Sequence, residues 1–406
     1  MGTLKVGFKS KNREKDVDDY IIVYEADMTM ADFDPQTLDW QFAGQTFSQQ
    51  ANPDMIYALR NQLDSLSVDF SNDYARDFVT EEKVDALYIQ NTYTWDKGVI
   101  VAGVRYEDTS TESQAFDQDG NQVFAGSDHS FFAPSINIKY FLDDRLQLRG
   151  SIWKGLSRPG FKKTAPKLDY DNDEGDISGS AGNPDLKPYE AVNYDLSLEF
   201  YGDDMTFASV GLFRKNIENA IYPKIYKTAT FLGVTFNDDV ETWENAQDST
   251  INGLELNLQY GWENGIYFAG NITLTDGEST FEPTDDVSFT TPFRKLADEA
   301  FNISLGYDEG PWDVRLAANY RSDYLDWLSD EGDDIDDVSE NNSRFVDNYL
   351  QVDFTAKYKT SDNLEFKFEA VNLGNREEYY YWGNENQLSQ YDVYGRNYSL
   401  GMTYNF

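Results

Sequence analysis

Residues 387–406 read QLSQYDVYGRNYSLGMTYNF, and the last ten decide the kind of fold to expect. Tyr398, Leu400, Met402, Tyr404 and Phe406 alternate without a break with Asn397, Ser399, Gly401, Thr403 and Asn405. A period of two puts the first set on one face of a β-strand and the second on the other. An apolar face ending in aromatic rings, opposite a face of small polar residues, suits a strand standing between lipid and water.

The same alternation recurs upstream. It is clear in Leu350, Val352, Phe354, Ala356 and Tyr358, in Leu364, Phe366, Phe368 and Ala370, and in Trp312, Val314, Leu316, Ala318 and Tyr320. It continues through 301–307, 266–274, 254–260 and 194–200, and more weakly through 146–152, 136–142, 100–106 and 87–95. With 4–9 and 205–213 added, the pattern predicts about 14 strands. Tight turns are expected at Asp96-Lys97-Gly98, Asp143-Asp144, Gly202-Asp203-Asp204, Glu263-Asn264-Gly265, Glu309-Gly310-Pro311 and Ser361-Asp362-Asn363. Between them lie connections of roughly 15 to 65 residues, far longer than ordinary hairpin loops. Strict alternation of short and long connections is the habit of an outer-membrane barrel, with its short turns at the periplasmic end. The longest connection, 14–79, is expected to hold a helix capped by Asn52, with Pro53 first and Met55, Ile56, Leu59 and Leu63 on one face.

Composition narrows the partners. The chain has 406 residues, 16% of them aromatic, and a formal charge of -40. Such a charge repels phosphate backbones, so nucleic acid is not an expected partner. Mean hydropathy is -0.63 and no apolar run approaches the length of a helical span, which leaves a strand-built membrane protein open. There is no Cys and one His, His129, so no thiolate or histidine metal site and no cofactor are expected. The N-terminus MGTLKVGFKSK enters a strand directly and shows no secretory signal, which reads as an incomplete product of a longer gene.

Five ordered segments look familiar. They are SRPGF (157–161), GNPDLKPYEAVNYDLSLEFY (182–201), INGLELNLQY (251–260), EAVNLGNREEYYYWG (369–383) and the terminal stretch quoted first. Together they resemble TonB-dependent outer-membrane receptors over nearly the whole chain, and most of all the subgroup of xanthomonads and caulobacters linked to carbohydrate uptake. The resemblance implies an all-β, antiparallel transmembrane barrel of 22 strands, of which residues 1–406 would be the C-terminal portion, beginning at the ninth strand. The family's signal peptide, TonB-contacting box and plug are not seen, so TonB would be reached only through that missing N-terminal region. Other implied partners are outer-membrane lipid and lipopolysaccharide, the barrel-assembly machinery and a small-molecule ligand.

Candidate site residues follow, each with its plainer alternative. Tyr379, Tyr380, Tyr381 and Trp382 break the strand alternation in one outer loop, and Tyr324 and Trp327 lie in another. Flat rings beside Asn384, Asn386 and Gln387 suit sugar stacking, though the same rings equally suit an interfacial belt. Arg158 of SRPGF faces the lumen or serves a structural role. Tyr404 and Phe406 resemble the family's C-terminal assembly signal. The acidic runs 169–176, 238–244, 282–286 and 330–340 have oxygen enough for calcium but lack EF-hand spacing, and read better as solvated loops. His129 and Ser130 point to opposite faces of a strand, and no G-x-S-x-G elbow occurs, so no enzyme is expected. The expected function is uptake of an oligosaccharide; a ferric-siderophore receptor, a self-contained 14-stranded porin and a soluble glycan-binding β protein are the alternatives.

Overall fold

A computed structural model describes residues 2–18, 76–117, 120–246, 248–284, 287–328 and 343–406, with short stretches between 22 and 68. Fourteen strands pair in sequence order into one antiparallel sheet. They are β1 (Gly2–Val17), β2 (Phe78–Trp95), β3 (Gly98–Phe116), β4 (Gln122–Phe141), β5 (Leu146–Ser157), β6 (Tyr189–Tyr201) and β7 (Phe207–Glu218). The second half comprises β8 (Ser249–Gly261), β9 (Ile266–Thr284), β10 (Glu299–Glu309), β11 (Trp312–Arg321), β12 (Tyr349–Ser361), β13 (Leu364–Val371) and β14 (Asn397–Tyr404). A short strand, Val287–Pro292, folds back on the outer end of β9. Among the described residues β1 pairs only with β2, and β14 only with β13.

Register explains why the alternating residues share a face. One cross-strand row carries Ile138, Gly150, Leu196, Leu212, Leu254 and Leu274 over six strands. Leu196 is 51% and Leu212 56% exposed to surrounding solvent. An apolar surface that continuous would drive a water-soluble chain to aggregate, whereas in hydrocarbon it is the stable choice. All six tight turns close where the sequence places them, between successive sheet strands. Beside them aromatic pairs gather: Tyr93 on Trp95 at 6.1 Å, Tyr260 on Trp262 at 4.7 Å, Trp312 on Tyr358 at 4.5 Å and Tyr404 on Phe406 at 5.1 Å between centroids. Rings with an apolar body and a polar tip settle at the headgroup level, so this row marks the interface on the short-turn side.

The largest fully buried side chains lie at the other end, in the long connections: Phe236, Leu168, Leu325, Leu328, Val240 and Val346 among them. Two four-stranded sheets organise them. One joins Leu168–Asp173, Asp176–Ala181, Val240–Asn245 and Ile221–Tyr226; the other joins Tyr324–Trp327, Arg344–Val346, Glu378–Trp382 and Leu388–Asp392. The wall therefore relies on lipid for its apolar face, while the outer loops fold around cores of their own.

Two expectations need correction. The connection between Tyr106 and Ile136 is no long loop, because β3 and β4 run on to Phe116 and from Gln122. There polar residues stand on both faces, with a Thr80–Ser113 hydroxyl bond of 2.9 Å, so apolar alternation fades while strand pairing persists. The connection placed at 14–79 is shorter, since β1 reaches Val17 and β2 starts at Phe78. Its helix, α1 (Pro53–Arg60), starts where Asn52 caps the Asp54 amide at 3.0 Å; much of that connection and all of 330–340 lie outside the described residues. The Tyr379–Trp382 run, expected to break the strand alternation in an outer loop, lies in an outer connection, where Glu378–Trp382 forms a strand of the outer sheet.

Candidate functional site

The site forms around the segment that follows β5. Pro159 ends the strand, and Gly160 leads into one turn of helix, α2 (Phe161–Thr164). Phe161 packs on a core of Phe78, Ala115 and Ala165, with Val17, and so fixes the turn to the inner side of β1, β2 and β3. Arg158 pins the same segment from below. Its guanidinium donates to the Glu107 carboxylate at 2.5 Å and the Thr109 hydroxyl at 3.0 Å, and lies 3.8 Å from Glu82. Arg105 and Arg13 take the remaining capacity of Glu107 and Glu82.

With the helix fixed, its two lysines diverge. Lys162 lines a cavity of about 780 Å3 with Lys15, Arg76, Lys167, Phe78 and Phe161; among the described residues Asp169 is the one carboxylate on its wall. Burial and the neighbouring Lys162 push the Lys167 ammonium below its ordinary range. Lys163 turns the other way and sits 3.6 Å from the centroid of the Trp243 ring. Trp243 meets Trp327 edge to face at 6.4 Å, and the Arg294 guanidinium lies 4.7 Å over Trp327. Burial first, then Arg294 and Lys295, lowers Lys163 to about 8. Asp326, almost buried, is shared by Arg344 and Lys295, and its backbone oxygen accepts from Arg294. The mouth of a strongly acidic chain is thus lined with cations and indoles, an arrangement that attracts anions bearing flat rings.

The aromatic residues singled out in the sequence meet on one outer sheet. Tyr324 aligns with Tyr380 across Val346, and Trp327 with Trp382 across Arg344. Tyr381 stacks on Phe345 at 5.6 Å and on Tyr379 at 5.9 Å, and Arg344 covers Tyr380 at 5.3 Å. Burial raises Tyr380 and Tyr381 to about 12, so both phenols stay neutral. Arg158 stands apart from this group, against the wall. Lys163, Trp243, Arg294 and Lys295 were not picked out by sequence reasoning; the adjacent cation pairs Lys162-Lys163 and Arg294-Lys295, set in acidic surroundings, were the available signal. The run at 171–176 is a hairpin turn in which the Asn172 carboxamide accepts from the Gly175 amide at 3.0 Å. No group of three or more metal-ligating side chains occurs among the described residues.

A wall with one lipid face, short turns at one end and a ligand-sized, charged mouth at the other defines an outer-membrane receptor barrel. Residues 8–373 match the family described as TonB dependent receptor-like, beta-barrel, and the chain belongs to that family, which places it in the outer membrane of a Gram-negative bacterium. It is 26% identical over 240 residues to the ferric enterobactin receptor of Pseudomonas aeruginosa, covering 52% of this chain and 32% of that protein. It is 24% identical over 271 residues to the ferrienterobactin receptor of Escherichia coli K12, covering 64% and 33%. Its fold is similar to that of the siderophore receptor PiuA from Acinetobacter baumannii, with a TM-score of 0.65 at 14% identity over 99% of this chain and 53% of that one. The chain spans about a third of the length of these two curated relatives.

Proposed function

We propose that this chain forms the ligand-binding wall and outer mouth of a TonB-dependent uptake receptor whose cargo is an anionic ferric chelate with aromatic iron-binding arms. Lys163 carries this reading. A half-buried ammonium stacked on Trp243 and crowded by Arg294 and Lys295 is short of negative charge, and an arriving anion supplies it. The cavity with Lys15, Arg76, Lys162 and Lys167 continues the same field. The names of the relatives, receptors for ferric enterobactin, favour an iron chelate over the oligosaccharide expected from the sequence subgroup. Energy coupling through TonB, and recognition of Tyr404 and Phe406 by the assembly machinery, belong to the same proposal for the longer receptor.

Titration in detergent with a ferric tricatecholate, and separately with malto-, chito- and xylo-oligosaccharides, tests it. The chelate should quench tryptophan fluorescence, and Trp243→Phe should remove much of the change. A response to a sugar and none to the chelate overturns the proposal.

A further inference from the structure

The lipid face of the wall has a hollow that the uptake site does not use. In the row that crosses six strands, Gly150 interrupts a run of branched aliphatic side chains, with Ile138 on one side and Leu196, Leu212, Leu254 and Leu274 on the other. The strand does not require that glycine. Its φ lies outside the left-handed region, and a Cβ added there would meet nothing nearer than the Asp195 carbonyl oxygen at 3.8 Å and the Leu196 side chain at 4.0 Å. A glycine inside a strand weakens it, and often marks a place where a ligand comes close. Here it deepens an open groove of about 890 Å3 that runs from β4 to β9.

One step farther out on the same face, the chemistry changes together on neighbouring strands. The next cross-strand row holds Tyr194, Arg214, Asn252 and Asp276, all of which line the groove. β7 climbs from its tight turn toward Glu218, so Arg214 stands on the outer side of Leu212 and this polar row borders the outer leaflet. An apolar floor under a rim with a guanidinium, a phenol and a carboxamide matches acyl chains below a phosphorylated sugar headgroup. The Arg214 Nε donates to the Asn216 carboxamide at 2.9 Å, and the terminal nitrogens have no partner among the described residues. Asp276, two strands and about 10 Å away, repels a phosphate at its own end of the rim and so orients the headgroup toward Arg214. Width selects among lipids. Six strands about 4.8 Å apart make the groove about 24 Å across, broader than a lipid with two chains would fill.

We infer that this groove holds one lipopolysaccharide molecule of the outer leaflet, with its several acyl chains across Gly150 and a lipid A phosphate on Arg214. The site is on the outside of the wall and is independent of the chelate reading. Native mass spectrometry of the detergent-purified chain, titrated with three lipids, tests it. The probes are diphosphoryl lipid A, the same lipid with its phosphates removed, and phosphatidylglycerol, which is anionic but has two chains. Arg214→Gln should weaken binding of diphosphoryl lipid A about fivefold, the worth of one cation at a charged lipid surface. The dephosphorylated lipid should bind the parent and Arg214→Gln alike. Gly150→Leu fills the gap and should weaken both forms of lipid A, and Gly150→Ala, for which there is room, should do so to a smaller degree. Phosphatidylglycerol should bind about tenfold more weakly than lipid A, because fewer methylenes reach the groove. Heat-modifiable mobility on gels reports assembly of each variant, and Gly150→Ala decides the point where Gly150→Leu fails to assemble. Lipid A binding unchanged in Arg214→Gln, or unchanged in the assembled Gly150 variants, overturns the inference. Phosphatidylglycerol held as tightly as lipid A overturns it too, and makes the groove a site for any anionic lipid.

Discussion

The Lys163 ammonium rests 3.6 Å from the centre of the Trp243 ring, and Trp243 in turn meets Trp327 edge to face. Residues 163, 243 and 327 come from three different outer connections, so one cation joins three loops.

Removing that cation should weaken chelate binding. A hydrogen bond from a charged ammonium to an anionic ligand is worth about 2 kcal/mol, and its loss corresponds to roughly a thirtyfold change in affinity. Lys163→Met keeps the length of the side chain and should show most of that loss in a fluorescence titration, whereas Lys83→Met on the opposite face of the wall should show none. Binding near pH 8 should also take up protons, because an anion favours the charged lysine; calorimetry in buffers of different ionisation enthalpy measures this.

Stability should change with pH in two opposite windows. Lys163 is lowered to about 8 in the fold against an ordinary value near 10.5, so the unfolded chain holds more protons between those values and stability rises with pH there. Tyr380, Tyr381 and Tyr391 are raised to about 12, so their contribution is complete below pH 10 and is lost as pH climbs toward 12. Denaturant melts of the detergent-solubilised protein should show a maximum near pH 10, and Lys163→Met should flatten its lower flank.

Arg158 should hold the site to the wall. Glu107 and Glu82 are largely removed from water, and an unpaired carboxylate there is expensive. Arg158→Ala should cost about 3 kcal/mol, and a double-mutant cycle with Glu107→Gln should return a coupling above about 1 kcal/mol. A coupling near zero would show that the guanidinium is held by packing alone.

The two faces of the wall should tolerate charge differently. Leu316→Arg places a guanidinium in lipid at a cost of about 2–4 kcal/mol near mid-depth, while Thr355→Arg, facing the lumen, should insert normally. Heat-modifiable mobility on gels reports assembly of each variant.

Much of the wall was legible in the sequence, because lipid on one side and water on the other impose a period of two on every spanning strand. Leu196 and Leu212 announce their common face before any register is known. The outer parts of β3 and β4 were not legible, since Thr109 and Ser113 lie where neither face contrasts with the other. The mouth was harder still. Aromatic density drew attention to Tyr379, Tyr380, Tyr381 and Trp382, but Lys163 gains its neighbours Trp243 and Arg294 only through folding. Distant cations that converge leave no local pattern, and a whole-chain charge of -40 hides them further.

Six tight turns fix the register of the sheet at one end, whereas the outer connections close small sheets with buried cores of their own. A change in one of those cores need not disturb strand pairing in the wall below it. The receptor is therefore built so that its selectivity can drift, or be re-engineered, by exchanging one outer module at a time on an inherited frame.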